Sequence, residues 1–151
     1  MEFTVYSDAH YMREALKEAR YAFEKDEVPI GAVVVCDNRI IARAHNLTET
    51  LNDVTAHAEM QAITAAANYL GGKYLRDCKV YVTVEPCVMC AGALKWSQVS
   101  RVVYGAADEK AGASTVGKLL YHPKTKIEYG LLEGECRELM QTFFQAKRGL
   151  K

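Results

Sequence analysis

His57-Ala58-Glu59, followed by Pro86-Cys87-Val88-Met89-Cys90, supplies one imidazole, two thiols and one spare carboxylate. That is the inventory of a catalytic zinc centre. Three protein ligands, His57, Cys87 and Cys90, leave the fourth tetrahedral position open to water, whereas a structural zinc site is closed by four. Glu59 is then left to handle protons. The combination points to hydrolysis.

A Cys-x-x-Cys between a strand and a helix also describes a thioredoxin-like redox pair. His57-Ala58-Glu59 has no role in such a pair, which favours the metal. A structural zinc knot would need a fourth ligand at short spacing, and Cys36, Cys78 and Cys136 stand alone. Each of these is expected to be a small buried apolar residue. His10, His45 and His122 lack paired spacing and read as surface or hydrogen-bonded side chains. Met60, Met89 and Met140 fall at helical positions and read as core filler.

Rigid elements must hold the two ligand sets. Residues 55–70 read as a helix with Thr55 as N-cap, an alanine-rich run to Leu70, and Gly71-Gly72 as the stop. Lys79-Val80-Tyr81-Val82-Thr83-Val84 alternates and is rich in β-branched residues, which predicts a strand. Pro86 suits a place at or just before a first helical turn, and residues 88–97 read as that helix. Cys87 and Cys90, three apart, share one of its faces. Both ligand sets therefore sit at helix N-termini, where the backbone dipole favours a thiolate.

Around them, residues 8–25 carry a helical stripe of Met12, Ala15, Leu16, Ala19 and Phe23. Gly31–Cys36 and residues 40–44 flank Asp37-Asn38, a β-hairpin with a tight turn. Arg101-Val102-Val103-Tyr104 is a further strand. Residues 133–147 form a final helix with Leu139, Phe143 and Ala146 on one face. Helices alternating with strands predict an α/β protein with helices on both faces of one sheet. The opening hairpin makes that sheet mixed.

The chain has 151 residues, half of them apolar, and reads as one domain over residues 1–151 with a real core. It contains no low-complexity tract, Pro/Gly-rich linker or internal repeat. Met1-Glu2-Phe3-Thr4 shows neither a basic segment nor an apolar signal region. No run approaches the roughly 18 apolar residues of a membrane span. Five cysteines without a secretion signal suit a reducing cytoplasm, so a cytoplasmic protein with no membrane partner is expected. The formal net charge of zero offers no overall attraction to nucleic acid. Its distribution is uneven. Lys110, Lys118, Lys124 and Lys126 come without an intervening acid, and Lys147, Arg148 and Lys151 close the chain. The stretch to Pro29 has seven acidic against four basic side chains. The two basic segments could form a phosphate-binding patch or an ordinary solvated surface.

His-x-Glu with Pro-Cys-x-x-Cys is the general signature of the zinc deaminases. Further segments narrow the match: Glu27-Val28-Pro29-Ile30-Gly31-Ala32, His45-Asn46, residues 55–59, residues 81–92, and Arg101-Val102-Val103-Tyr104-Gly105-Ala106. Asp108, Lys110, Gly112, Ala113 and the Phe143-Phe144 pair continue it. Across nearly its full length the chain resembles the bacterial tRNA-specific adenosine deaminases, a branch of the zinc-dependent cytidine/deoxycytidylate deaminase superfamily.

The resemblance implies a three-layer α/β/α cytidine-deaminase-like fold with a five-stranded mixed sheet. It implies one Zn²⁺ per subunit on His57, Cys87 and Cys90, and hydrolysis of adenosine to inosine at the wobble position, the first of the anticodon. Glu59 would take a proton from water, deliver it to the ring nitrogen and help ammonia leave. The implied partner is the tRNA anticodon loop, where unstacking the target base costs least. Asn46 would hydrogen-bond the nucleoside, the alternative being a turn residue that ends a strand. Ala58 would offer its N–H to the base. Asp108 would lie near sugar and phosphate, the alternative being a solvated loop aspartate. Phe144 would stack near the anticodon loop or fill the core. A homodimer is implied, with Trp96 at its interface or else buried within the monomer.

Two departures accompany the match. Val54 stands where the family often has Pro, and the segment from His122-Pro123 to the last helix is short and lacks an Asn-His pair. A deaminase of a free base or nucleotide (guanine, cytosine or deoxycytidylate) shares the metal chemistry and is the nearer rival. A zinc-stabilised, non-catalytic RNA-binding or pairing subunit is the rival from another class, and it would have no need of Glu59.

Overall fold

A computed structural model describes residues 6–149. The opening Met1-Glu2-Phe3-Thr4 and the terminal Lys151 lie outside the described residues. The chain runs α1 (Asp8–Glu24), β1 (Gly31–Cys36), β2 (Arg39–His45), α2 (Ala58–Leu70), β3 (Cys78–Val84), α3 (Val88–Ser97), β4 (Arg101–Ala106), β5 (Lys126–Tyr129) and α4 (Glu133–Gly149). Two single-turn 3₁₀ helices, Ala113–Thr115 and Lys118–Leu120, lie between β4 and β5.

The strands form one five-stranded sheet in the order β2-β1-β3-β4-β5. β1 is antiparallel to both β2 and β3, while β3, β4 and β5 are parallel. The mixed sheet follows from the first connection. Asp37 and Asn38 adopt φ of 54° and 63°, the left-handed pair that a two-residue hairpin needs.

Alternation along the strands builds two cores. Ala32, Val34, Val80, Val82, Val102 and Tyr104 face α2 and α3 with Ala62, Ala66, Ala91 and Leu94. Val33, Val35, Tyr81 and Val103 face α1 with Tyr11, Met12, Ala15 and Leu16, and Cys136 of α4 joins them. Three layers result, as the resemblance implied. Each fully buried side chain of the size of Leu16 or Leu94 contributes about 1.5–3 kcal/mol to holding them together. The approach of α1 to the sheet is close enough to require glycine. A Cβ on Gly31 would strike the Ala15 carbonyl oxygen.

Several expectations need correction. The strand pattern revealed four strands, and β5 escaped it because Lys126-Ile127-Glu128-Tyr129 is a short edge strand with one partly buried apolar side chain. Its pairing with β4 is seen in the stack of Tyr104 on Tyr129, with ring centroids 5.4 Å apart. Met60, Met89 and Met140 are half-buried rather than core filler. Ala146 is exposed, so the buried face of α4 rests on Cys136 and Phe143. Trp96 is 79% exposed and is not buried in the monomer. Cys78 and Cys136 are buried as expected, whereas Cys36 is half-exposed.

Candidate active site

Two helix N-termini meet on one face of the sheet. Thr55 does not cap α2, because Asp53 Oδ1 accepts both its N–H and its hydroxyl, at 2.8 and 2.7 Å. The N-cap is His57 itself, in extended backbone (φ −71°, ψ 157°) with no side-chain capping bond. Cys87 occupies the same position on α3 (φ −75°, ψ 176°), again without a capping bond. Residues at this position usually spend a side-chain oxygen on the helix. Here the imidazole and the thiol are left for each other.

His57 Nδ1 lies 3.7 Å from Cys87 Sγ and 3.5 Å from Cys90 Sγ. Bonds of about 2.3 Å to sulfur and about 2.0–2.1 Å to nitrogen, at a tetrahedral angle, place N and S about 3.6 Å apart. The donor atoms therefore already span the two N–S edges of a tetrahedral metal site. All three lie within 4.8 Å of one another, and among the described residues no fourth His, Cys, Asp or Glu completes the group. This His/Cys/Cys set could bind a metal ion with one position to spare.

The electrostatics agree. The Cys90 thiol and the His57 ring beside Cys87, helped by the Cys90 backbone N–H, draw its thiol down to about 4. Cys90 is pushed up by the Cys87 sulfur and by burial. His57 is raised by its bond to Cys87. A bound cation would favour the thiolate form of both sulfurs. Glu59 is 4% exposed, in the first turn of α2, and burial lifts its carboxyl to about 7. It lies outside the ligand triangle, with the Cys90 thiol and its own backbone N–H as neighbours, where a carboxyl could exchange a proton. Ala58 is fully buried at the first helical position, where an N–H has no acceptor within the helix.

Two loops flank this centre. Asn46 is buried, its N–H donates to the Ile30 carbonyl (3.1 Å), and its Oδ1 accepts the Thr48 N–H (3.3 Å). The adjoining Leu47 N–H reaches the Ala56 carbonyl at 3.0 Å, which ties Asn46 to the residue before His57. Opposite, the Ala113 N–H donates to the Pro86 carbonyl at 2.9 Å, which ties the loop after β4 to the residue before Cys87. In that loop Asp108 Oδ1 accepts the N–H groups of Lys110 and Ala111, each at 3.0 Å. Asp108 is thus neither buried nor an idle solvated side chain.

Asp108 also borders a groove lined by Lys110, Arg137, Met140 and Phe144, which continues to Arg148. The two basic segments converge there through Lys110 and Arg148, while Lys147 instead pairs with Asp26. Phe144 lines this groove and Phe143 fills the core. Two buried acids, Glu27 and Glu85, escaped the sequence reading. The available signal was Glu85 set between an apolar strand and Pro86, whereas Glu27 follows Lys25 and Asp26 and carries no such signal.

With this geometry in hand, known proteins supply the context. The MafB19-like deaminase family model matches residues 6–148. A tRNA-specific adenosine deaminase of Bacillus subtilis is 48% identical over 149 residues, covering 95% of this chain and 92% of its own. A solved structure from studies of A-to-I editing by tRNA:A34 deaminases at the wobble position of transfer RNA superposes with a TM-score of 0.81. It is 46% identical and covers 86% of this chain and 98% of its own. A guanine deaminase from Nitrosomonas europaea shares the fold at a TM-score of 0.82 with 25% identity, over 91% of this chain and 84% of its own. By motif, geometry and near-full-length identity, the chain belongs to the tRNA-specific adenosine deaminases.

Proposed function

We propose that this protein hydrolyses adenosine to inosine at the first anticodon position of tRNA, with one zinc ion per subunit. The observation that carries the reading is the three-cornered His57–Cys87–Cys90 group with the buried carboxyl of Glu59 beside it. His57 Nδ1, Cys87 Sγ and Cys90 Sγ would hold the metal, which would supply water activated for attack near neutral pH. Glu59 accepts the proton that water gives up and passes it to the ring nitrogen next to C6. It then supports departure of the amino group as ammonia, so that adenine plus water becomes hypoxanthine plus ammonia. A carboxyl raised to about 7 suits both halves of that transfer.

Asn46, whose amide oxygen is held by Thr48, presents its NH₂ to the flipped nucleoside. Ala58 offers its N–H to the base, and Asp108 borders the sugar and phosphate. The groove with Lys110, Phe144 and Arg148 receives the flanking anticodon loop. The reading places the protein in the cytoplasm as a single domain over residues 1–151. Among the described residues no helix is long and apolar enough to cross a membrane.

A second copy of the chain covers the exposed apolar side chains of α3 and the adjoining 3₁₀ helix, Val88, Trp96 and Leu119, the last 87% exposed. Lys95 of α3 donates to the Leu119 carbonyl at 3.3 Å and joins the two elements. Sedimentation should find a dimer that Trp96→Glu weakens; a wild-type monomer at micromolar concentration would refute it.

The shared fold of a guanine deaminase gives a second reading, hydrolysis of a free base. Ammonia release from an anticodon stem-loop beginning with adenosine, run beside free guanine, cytosine, adenosine and deoxycytidylate, separates the two. Inosine should form in the stem-loop alone. Turnover of a free base with none on the RNA would overturn the wobble assignment.

A further inference from the structure

Two acids outside the catalytic group share an unusual situation. Glu27 is 0% exposed and Glu85 is 5% exposed, yet neither forms an ion pair among the described residues. A buried carboxylate without a cationic partner is costly unless its oxygens are hydrogen-bonded. Both are, and almost wholly by backbone. Glu27 Oε1 accepts the Glu49 N–H at 3.1 Å, and its Oε2 accepts the Thr50 N–H and hydroxyl, each at 2.6 Å. Glu85 Oε1 accepts the Asp108 N–H at 2.9 Å, and its Oε2 accepts the Ser114 N–H at 2.8 Å. Burial would raise the Glu27 carboxyl, yet the Thr50 and Glu49 bonds hold it below the ordinary value.

The segments they grip are the two flanking loops. Glu27 holds the loop that starts at Asn46 and ends at His57. Glu85 holds the loop that starts at Asp108 and returns to Pro86. Space for the second grip is reserved in the sequence, since any Cβ on Gly112 would overlap the Glu85 carboxyl. We infer that Glu27 and Glu85 are paired positioning residues, each a buried carboxylate clamp that fixes one substrate-contacting loop against the metal-binding frame. Each acts through the loop and touches no substrate. Charge-assisted bonds to backbone N–H groups suit this task because they fix the main chain whatever side chains the loop carries.

The assignment of Asn46 and Asp108 as substrate contacts rests on the proposed function; the clamps themselves rest on geometry alone. The test therefore uses two readouts. Glutamine is the sharp probe. Each carboxylate uses both oxygens as acceptors, so either orientation of the amide sets an NH₂ against a backbone N–H. In zinc-loaded Glu27→Gln, amide hydrogen exchange should accelerate in residues 46–56 and not in residues 107–115. Glu85→Gln should show the reverse, with zinc content unchanged in both. On the adenosine stem-loop each should lose about 10- to 100-fold in kcat/KM, carried mainly by KM. Glu27→Gln should be non-additive with Asn46→Ala, and Glu85→Gln with Asp108→Ala, while crosswise pairs add.

Thr50→Val, at an exposed residue, removes one Glu27 bond without touching the buried acid, and should raise KM about 2- to 5-fold. Uniformly faster exchange, loss of zinc, or crosswise coupling as large as same-loop coupling would overturn the clamps. If wild type ignores the stem-loop while exchange still localises as described, the substrate reading fails and the clamps stand.

Discussion

The metal corner and the two loops beside it are built by opposite means. In the corner, His57, Cys87 and Cys90 stand at the N-termini of helices packed on the sheet, with Nδ1–Sγ distances of 3.5 and 3.7 Å. In the loops, Asn46 and Asp108 stand on irregular chain held by hydrogen bonds to neighbouring strand ends and to two buried acids. The proposed chemistry thus stands on helix ends packed against the sheet, and the proposed substrate contacts stand on loops carried by that scaffold.

That contrast predicts a ranking. Cys87→Ala breaks the triangle and should lose zinc and turnover together, read by metal analysis and inosine formation; retained zinc with retained activity would place the site elsewhere. Glu59→Ala removes the proposed proton carrier and leaves the proposed ligands. It should keep zinc and lower kcat by about 10²- to 10⁴-fold. Asn46→Ala or Asp108→Ala acts on the loops, and should raise KM by about 10-fold with zinc unchanged. A loss of metal in either would mean that corner and loops are not independent.

The smallest effect lies at the far ends of the same strands. Asp8, in a bidentate pair with Arg101 and accepting the Tyr81 hydroxyl, has its carboxyl lowered to about 2. Its folded value lies below the ordinary 3.8, so the stability it contributes is present above about pH 4 and is lost as pH falls toward 2. Partial exposure makes that contribution modest. Asp8→Asn should shallow the fall of Tm across that acid window and leave turnover at neutral pH unchanged. An unaltered acid profile would remove Arg101 from the stability account.

The sequence was most legible where function and local structure coincide. His57, Glu59, Cys87 and Cys90 sit in two short runs, and helix periodicity with Pro86 and Gly71 placed those runs at helix ends. What escaped was set by tertiary contact. β5 carries no strand pattern because it is an edge that borrows its register from β4. Thr55 was an attractive cap, but Asp53 claims it, and the cap position falls to His57. Glu27 and Glu85 have no role in the sequence until the fold brings backbone N–H groups from residues 49, 50, 108 and 114 onto them. No spacing rule announces a partner more than twenty residues away.

The central claim is a metal held by three protein atoms with one position open. Zinc-edge X-ray absorption on the purified protein tests it most directly. The predicted result is two sulfurs at about 2.3 Å and one imidazole nitrogen with one light oxygen donor at about 2.0–2.1 Å, unchanged in Glu59→Ala. A shell filled by four protein ligands, or a Glu59→Ala spectrum that has lost a donor, would contradict it.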